Sequence, residues 1–344
     1  MQKRRPTIRD VAAEARVSAA TVSLVMSGKG YVRPETRERV LRAAHRLGYV
    51  PTRAAQVLVS RKTGNVGFVL REDHFTRSEP FYTRIFLGAE FEARQQNYYV
   101  LLTTIPRTYD PERHVPRFLL ERNVDGVLIA GKVDIAFVEQ VEAAGLPLVL
   151  IDFEVGQRPA VVIDNVGGAR AAVQHLFARG HRRVAFVGAD MSHPSIAGRL
   201  DGYRLAFSAA GLAFEPDWII AAPDREPTRA TGLELGRRLL ALPERPSAVF
   251  CANDALALGV LDAAEEAGLR LPQELAVVGF DDVDGAASAR PPLTTVRVFK
   301  EQLGELALRY LLELLEEKGA SAPRYARRQH AISVPTELVL RATS

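Results

Sequence analysis

Apolar residues in the first fifty positions recur at helical spacing. Ile8, Val11, Ala12 and Ala15 share one face, Val22, Val25 and Met26 a second, and Val40, Leu41, Ala44 and Leu47 a third. Thr7 followed by Asp10 predicts a capped helix start, and Ser18 predicts another. The third helix opens on Pro34, a favoured first-turn residue, and stops at Gly48. Two short helices joined by a tight turn suit a helix-turn-helix whose second helix enters the DNA major groove. An ordinary helical hairpin has the same pattern, so the pattern alone leaves both readings open. Arg37, Arg39, Arg42 and Arg46 fall on the polar surface of the third helix.

From Asn65 the pattern becomes apolar strand, turn and amphipathic helix, repeated many times. Predicted strands are Val66–Leu70, Tyr98–Thr103, Gly126–Ala130, Leu148–Asp152, Val161–Asp164, Arg183–Val187, Ala248–Ala252 and Leu275–Phe280. Helices are expected between them, as at Gly167–Arg179 and Ala255–Ala267. Strands apolar throughout that alternate with helices indicate parallel sheets covered on both faces. Their number suggests two doubly wound subdomains, with ligands where loops leave the carboxyl ends of the strands. The stretch from Tyr49 to Gly64 is too short to stand alone as a helix. It reads as a hinge that orders when something supports it.

Bulk properties narrow this picture. A chain of 344 residues accommodates two or three domains, and 47% hydrophobic content is ample for their cores. No stretch approaches the roughly 20 apolar residues of a membrane span. The basic start Met-Gln-Lys-Arg-Arg-Pro leads into an amphipathic pattern, not an apolar signal core. A cytoplasmic protein is expected. Cys251 is the sole cysteine and sits in an apolar run, where it reads as a buried small hydrophobe. Charge is the more informative property. Residues 1–62 hold 14 Lys/Arg against 4 Asp/Glu, a balance of +10, and the remainder holds 31 against 37. A basic head on a mildly acidic body is the electrostatic footprint of polyanion binding, which favours the DNA reading of the first helices.

Motifs along nearly the whole chain now carry a resemblance. They include Thr7-Ile-Arg-Asp-Val-Ala, Val17-Ser-Ala-Ala-Thr-Val-Ser23, Gly30-Tyr-Val-Arg-Pro-Glu-Thr-Arg-Glu-Arg-Val40 and Leu47-Gly-Tyr-Val-Pro51. Further on come Arg199-Leu-Asp-Gly-Tyr203, Cys251-Ala-Asn-Asp254, Val278-Gly-Phe-Asp-Asp282 and Pro291-Pro-Leu-Thr-Thr-Val296. In this order and spacing they closely resemble the lactose-repressor-like (LacI/GalR-type) family of bacterial transcription regulators. The resemblance implies an all-α helix-turn-helix head plus hinge helix, joined to an α/β periplasmic-binding-protein-like core of two doubly wound parallel-sheet subdomains. The expected domains are a head at 1–50 and a hinge helix and linker at 51–62. The N-terminal subdomain would hold 63–164 plus 293–321, and the C-terminal subdomain 165–292 plus 322–344. Chain crossings between subdomains are then expected near Asp164–Asn165, Pro291–Leu293 and Ala320–Pro323. Implied partners are near-palindromic double-stranded operator DNA, a small-molecule effector and a second copy of the chain in a homodimer or tetramer.

By the same resemblance, Ala19, Ala20 and Leu24 meet base edges. Relatives commonly carry Arg where Leu24 stands; Leu24 donates no hydrogen bond and favours contact with a thymine methyl. Arg16 takes the place of a common turn glycine, at about 1 kcal/mol of left-handed strain. Thr7, Ser18, Thr21, Ser23, Tyr31, Arg33 and Thr36 are candidate phosphate contacts, each with a capping or solvated role as its alternative. Leu58 occupies the place of a minor-groove wedge that pries open a base step, with Arg53 and Ala54 against the groove.

Asp152, Asn253 and Asp281 each end an apolar strand, and Arg199 opens the run Arg199-Leu-Asp-Gly-Tyr-Arg. The resemblance brings all four onto one ligand. A carboxylate accepts from two neighbouring hydroxyls, Arg donates in a fork and Asn does both, which suits an uncharged, hydroxyl-rich molecule such as a sugar. Phe81 or Tyr82 would stack on its ring. Here the chain departs from the family pattern, with Glu79-Pro-Phe-Tyr82 after a longer loop at Arg71–Ser78. Trp218 reads as a core aromatic before a cleft residue. Asn253 and Asp281 have helix capping as their alternative, and Arg199 an internal ion pair.

The expected function is a sequence-specific repressor of carbohydrate-utilisation genes whose operator affinity is set by a sugar-like effector. A nucleobase- or other metabolite-responsive corepressor system is the alternative. An enzyme is disfavoured: the chain has no nucleophile elbow, phosphate loop or zinc motif, and no cofactor is expected. A transport-type binding protein would be exported and would lack the basic head.

Overall fold

The computed structural model describes residues 6–27, 31–49, 62–74, 81–213, 215–317 and 330–344. They form two compact units that divide after Gly64. The first contains α1 (Ile8–Ala15), α2 (Ala19–Ser27) and α3 (Pro34–Leu47). Thr7 and Asp10 cap α1 reciprocally, the Thr7 N–H donating to Asp10 Oδ2 at 2.7 Å. α1 ends on Arg16 at φ 53 and ψ 49, the left-handed conformation that glycine adopts without strain. Val11, Ala15, Val22 and Val40 are fully buried at the centre of the three helices. One expected core residue is misplaced. Leu41 is 48% exposed, and Ala43 packs inward instead. Positions 40, 43, 44 and 47 keep the i, i+3, i+4, i+7 stripe, whereas residue 41 lies about 100° off it.

The second unit is built on two six-stranded sheets. The first has the order β11 (Ala331–Val334), β5 (Ala160–Ile163), β4 (Leu148–Ile151), β3 (Gly126–Ala130), β1 (Asn65–Arg71), β2 (Tyr99–Ile105), all parallel. The second runs β12 (Glu337–Val339), β10 (Thr294–Arg297), β9 (Ala276–Asp281), β8 (Ala248–Cys251), β6 (Val184–Ala189), β7 (Ile219–Ala222), with only β12 antiparallel. Every residue of β3 and β6 is buried, as strands covered on both faces require. Cys251 is buried and Trp218 packs in the core beside Phe207.

The chain leaves the first sheet after β5 and enters α7 (Asn165–Ala178), which packs on the second. The other two crossings differ from expectation. β10 continues the second sheet, so the chain returns only at residues 298–299, before α12 (Lys300–Glu317) covers β3 and β4. β11 belongs to the first sheet and β12 to the second, which puts the last crossing at 335–336. Residues 294–297 therefore leave the expected N-terminal segment, and residues 331–334 leave the expected C-terminal one. The crossing that the resemblance implied near Pro291–Leu293 thus falls within the second subdomain. Thr294 and Thr295 are fully buried and hydrogen-bonded inside the second subdomain, with Thr295 Oγ1 donating to Asp254.

α12 also packs on α4 (Phe81–Gln95), backbone against backbone. A Cβ on Gly88 would stand 1.9 Å from the Glu301 carbonyl oxygen, and one on Gly304 the same distance from that of Ile85. The start of α4, with Phe81 and Tyr82, is thereby fixed over the carboxyl ends of the first sheet.

Candidate functional site

The carboxyl ends of both sheets face a cavity of about 300 Å³, lined from each subdomain. Four aspartates that follow or end strands hold left-handed backbone: Asp152 (φ 67), Asp190 (φ 43), Asp281 (φ 112) and Asp282 (φ 51). Positive φ is uncommon for a residue other than glycine, and the first three of these aspartates line the cavity.

Asp152 bridges the subdomains. Its Oδ2 accepts from the Tyr82 hydroxyl of α4 at 2.9 Å, and its Oδ1 from Ser195 Oγ at 2.6 Å. Ser195 lies in α8 (Pro194–Ala209), the helix that also carries Arg199 and begins at Pro194, ahead of the expected start. Burial, reinforced by the Asp152 charge, pushes the Tyr82 phenol well above its ordinary value, so it stays a neutral donor. Arg199 is 3% exposed and fully engaged. Nε donates to Asn165 Oδ1 (2.9 Å), Nη1 to the Ala252 carbonyl (2.6 Å), and the guanidinium lies over Phe280 at 3.8 Å. Its Nη2 stands 3.0 Å from Asp281 Oδ1, close enough for charge pairing but off the line of a hydrogen bond. Asp281 Oδ1 is thus a buried acceptor without a hydrogen bond among the described residues. Burial raises the Asp281 carboxyl, against the opposing pull of Arg199 and Lys300.

Asn253 lines the same cavity, yet both its arms are in use. Oδ1 accepts from the Leu256 N–H at 2.9 Å as the cap of α10 (Asp254–Glu266), and Nδ2 donates to the Pro227 carbonyl at 3.0 Å. Asp281 caps no helix; the short helix after it starts behind Val283. Phe81 and Tyr82 both line the cavity, and Trp218 does not.

The site also holds residues that the sequence reading passed over. Asp190 ends an apolar strand, as Asp152 does, and the same rule would have found it. His193 accepts from the Ser195 N–H through Nδ1 at 3.2 Å, and burial holds its imidazole below the ordinary value. His74 follows β1 and stacks on Tyr82 with centroids 4.7 Å apart. Two further contacts join the subdomains: Arg107 donates to Glu226 at 2.9 Å and Lys132 to the Ser192 carbonyl at 2.9 Å.

In the first unit, Ala19, Ala20 and Leu24 lie on the exposed side of α2, with Leu24 43% exposed. Ser18 Oγ accepts from the Thr21 N–H at 3.0 Å and Thr7 serves the capping box, so these hydroxyls already have capping work. Tyr31 is 88% exposed, Arg33 is exposed, and Ser23 and Thr36 are half-buried. Arg42 and Arg46 form ion pairs with Glu38 and Glu14. Arg53, Ala54 and Leu58 lie outside the described residues.

A basic helix-turn-helix unit followed by a two-lobed binding core defines a ligand-controlled DNA-binding regulator. Residues 7–52 match the family described as bacterial regulatory proteins, lacI family, and residues 173–344 match the periplasmic binding protein-like domain. The chain is 34% identical over 316 residues to Catabolite control protein A of Priestia megaterium, covering 91% of this chain and 93% of that protein. Its fold is similar to the transcriptional regulator CelR in complex with cellobiose (TM-score 0.73, 32% identity, 99% of this chain and 100% of the other). It is also similar to the lac repressor dimer bound to operator and the anti-inducer ONPF (TM-score 0.78, 28% identity, 99% of each chain). The chain belongs to the lacI family of bacterial regulatory proteins; it is a transcriptional regulator and not an enzyme.

Proposed function

We propose that the protein is a dimeric repressor of carbohydrate-utilisation genes, released from its operator by a neutral sugar bound between the two core subdomains. The observation that carries the sugar reading is the character of the cavity wall. Asp152, Asp190 and Asp281 face it with Arg199 as the one lining Arg or Lys among the described residues, and Arg199 is already engaged. Carboxylates accept hydroxyl hydrogens readily, and this wall repels a phosphorylated or otherwise anionic ligand. Tyr82 and Phe81 offer apolar rings for the faces of a pyranose. The cellobiose complex of the similar regulator CelR supports the same class.

The DNA contacts belong to this proposal as well. Ala19, Ala20 and Leu24 would meet thymine methyls, and Thr7, Ser18, Thr21, Ser23, Tyr31, Arg33 and Thr36 would set register on phosphates. Leu58 would wedge the minor groove, with Arg53 and Ala54 beside it. Dimerisation and a place beside the bacterial DNA in the cytoplasm fit the repressor dimer on operator seen for a similar fold. Closure of the core around the sugar would lower operator affinity by a coupling free energy of about 1–3 kcal/mol.

The test is a titration of operator, selected from a random duplex pool, at one salt concentration. Arms contain neutral mono- and disaccharides, sugar phosphates or purine bases. A neutral sugar should weaken binding about 5- to 150-fold. Tightening by a purine, with no sugar effect, would replace this reading with a corepressor.

A further inference from the structure

We propose that His74 is a specificity-determining contact for the effector, donating its Nε2–H to an acceptor-only oxygen of the sugar, in the ring or the glycosidic bond. The inference rests on the sugar reading above. Three features seat the imidazole at the cavity wall. Arg71, itself buried, forks onto Asp73 through Nε (2.8 Å) and Nη2 (2.7 Å) and so pins the turn Glu72–His74. The His74 ring lies on Tyr82 with the planes only 13° apart. Both rings rest on Gly131, at φ 72, where a Cβ would come within 2.7 Å of His74 Nδ1 and 2.9 Å of Tyr82 Cζ.

His74 Nδ1 is turned into this seat, buried and without a hydrogen-bond partner among the described residues. An orphaned N–H is rarer in folded proteins than an under-satisfied acceptor. The proton therefore belongs on Nε2, the edge left for the cavity that His74 lines. Burial, with the Arg71 cation, holds the ring uncharged, its pKa down to about 3. The chemistry is complementary to the aspartates of the wall. Asp152, Asp190 and Asp281 take hydroxyl hydrogens but offer nothing to a ring or glycosidic oxygen, and Arg199 is committed elsewhere. His74 is a neutral donor placed for that oxygen.

The experiment uses calorimetric titration of the full chain with cellobiose, lactose, D-glucose and D-ribose, followed by the tightest binder on two variants. His74→Phe keeps an aromatic plane over Tyr82 and removes the donor. His74→Gln returns an N–H close to the Nε2 position. His74→Phe should bind about 10-fold more weakly, and His74→Gln should recover most of that loss. The unliganded melting temperatures should stay close to wild type. Equal affinity for His74→Phe and wild type overturns the assignment while the sugar reading stands. Loss in both variants without recovery overturns it too, since packing alone would then explain His74. A wild-type chain that binds none of the four removes the sugar reading, and this inference with it.

Discussion

Asp254 is wholly buried one residue beyond Asn253, where its carboxyl oxygens accept from Thr295 Oγ1 at 2.5 Å and from the Val283 N–H at 2.9 Å. Burial, aided by the Asp281 charge, pushes its pKa up to about 8. The folded protein therefore keeps this proton up to about pH 8, whereas an unfolded chain gives it up near 3.8. Between those values the native state binds more protons, so this residue makes stability fall as pH rises. Asp254→Asn removes the titration at a fixed cost in hydrogen bonding. In urea melts, the variant's stability relative to wild type should grow by about 1.4 kcal/mol per pH unit from pH 5 to 7. Parallel pH profiles would show that the native carboxylate is already ionised. A protonated Asp254 also spares Asp281 a second buried negative charge beside it. At this scale the sequence was partly legible. Asp152 and Asp281 could be picked out because a polar residue ending an apolar strand has few structural reasons to be there. His74, His193 and Ser195 come from turns and a helix start, where polar residues are ordinary.

Among the elements, the α4–α12 pair carries the sharpest steric requirement. The backbones meet at Gly88 and Gly304 so closely that a methyl on Gly88 overlaps the Glu301 carbonyl. Gly88→Ala must push the helices apart, which costs about 1–3 kcal/mol from overpacking. Because α4 holds Tyr82 over Asp152, the same displacement should weaken effector binding. Denaturation and sugar titration on one sample check both, and a variant as stable as wild type would mean the helices can slide. Helices and central strands were legible through their 3.6-residue and uniformly apolar patterns. β7, β10, β11 and β12 were not: β4, β5 and β8 are as short but almost wholly buried and apolar, whereas β7, β11 and β12 are largely part-exposed and β10 is disguised by Thr294 and Thr295. With β10 and β11 unrecognised, nothing in the strand pattern corrected the two crossings carried over from the resemblance. Leu41 shows the same limit in a helix, where hydrophobicity alone set it on a face that the period excludes.

For the whole molecule, each of the two units has a hydrophobic core of its own, one centred on Val11, Val22 and Val40 and the other on the sheets. Positive charge is concentrated in the first, with 14 Lys/Arg against 4 Asp/Glu in residues 1–62. Function should divide the same way. A chain beginning at Asn65 is expected to keep the effector titration curve of the full protein and to lose DNA binding. In the full chain, the exposed face of α2 presents Ala19, Ala20 and Leu24, none of which donates a side-chain hydrogen bond to a base. Affinity must then lean on phosphate contacts, which release counterions and make binding steeply dependent on salt. With six or more such contacts, operator affinity should drop about 10³-fold or more between 50 and 200 mM salt. Non-specific duplex should follow a similar slope, because the shared contacts are those to the backbone. Leu24→Arg tests the division from the other side. It adds a fork donor suited to guanine, so it should shift the preferred operator toward G·C pairs in a selection experiment without steepening the salt slope by more than about one phosphate. An unchanged operator preference would place the base-reading surface elsewhere than on α2.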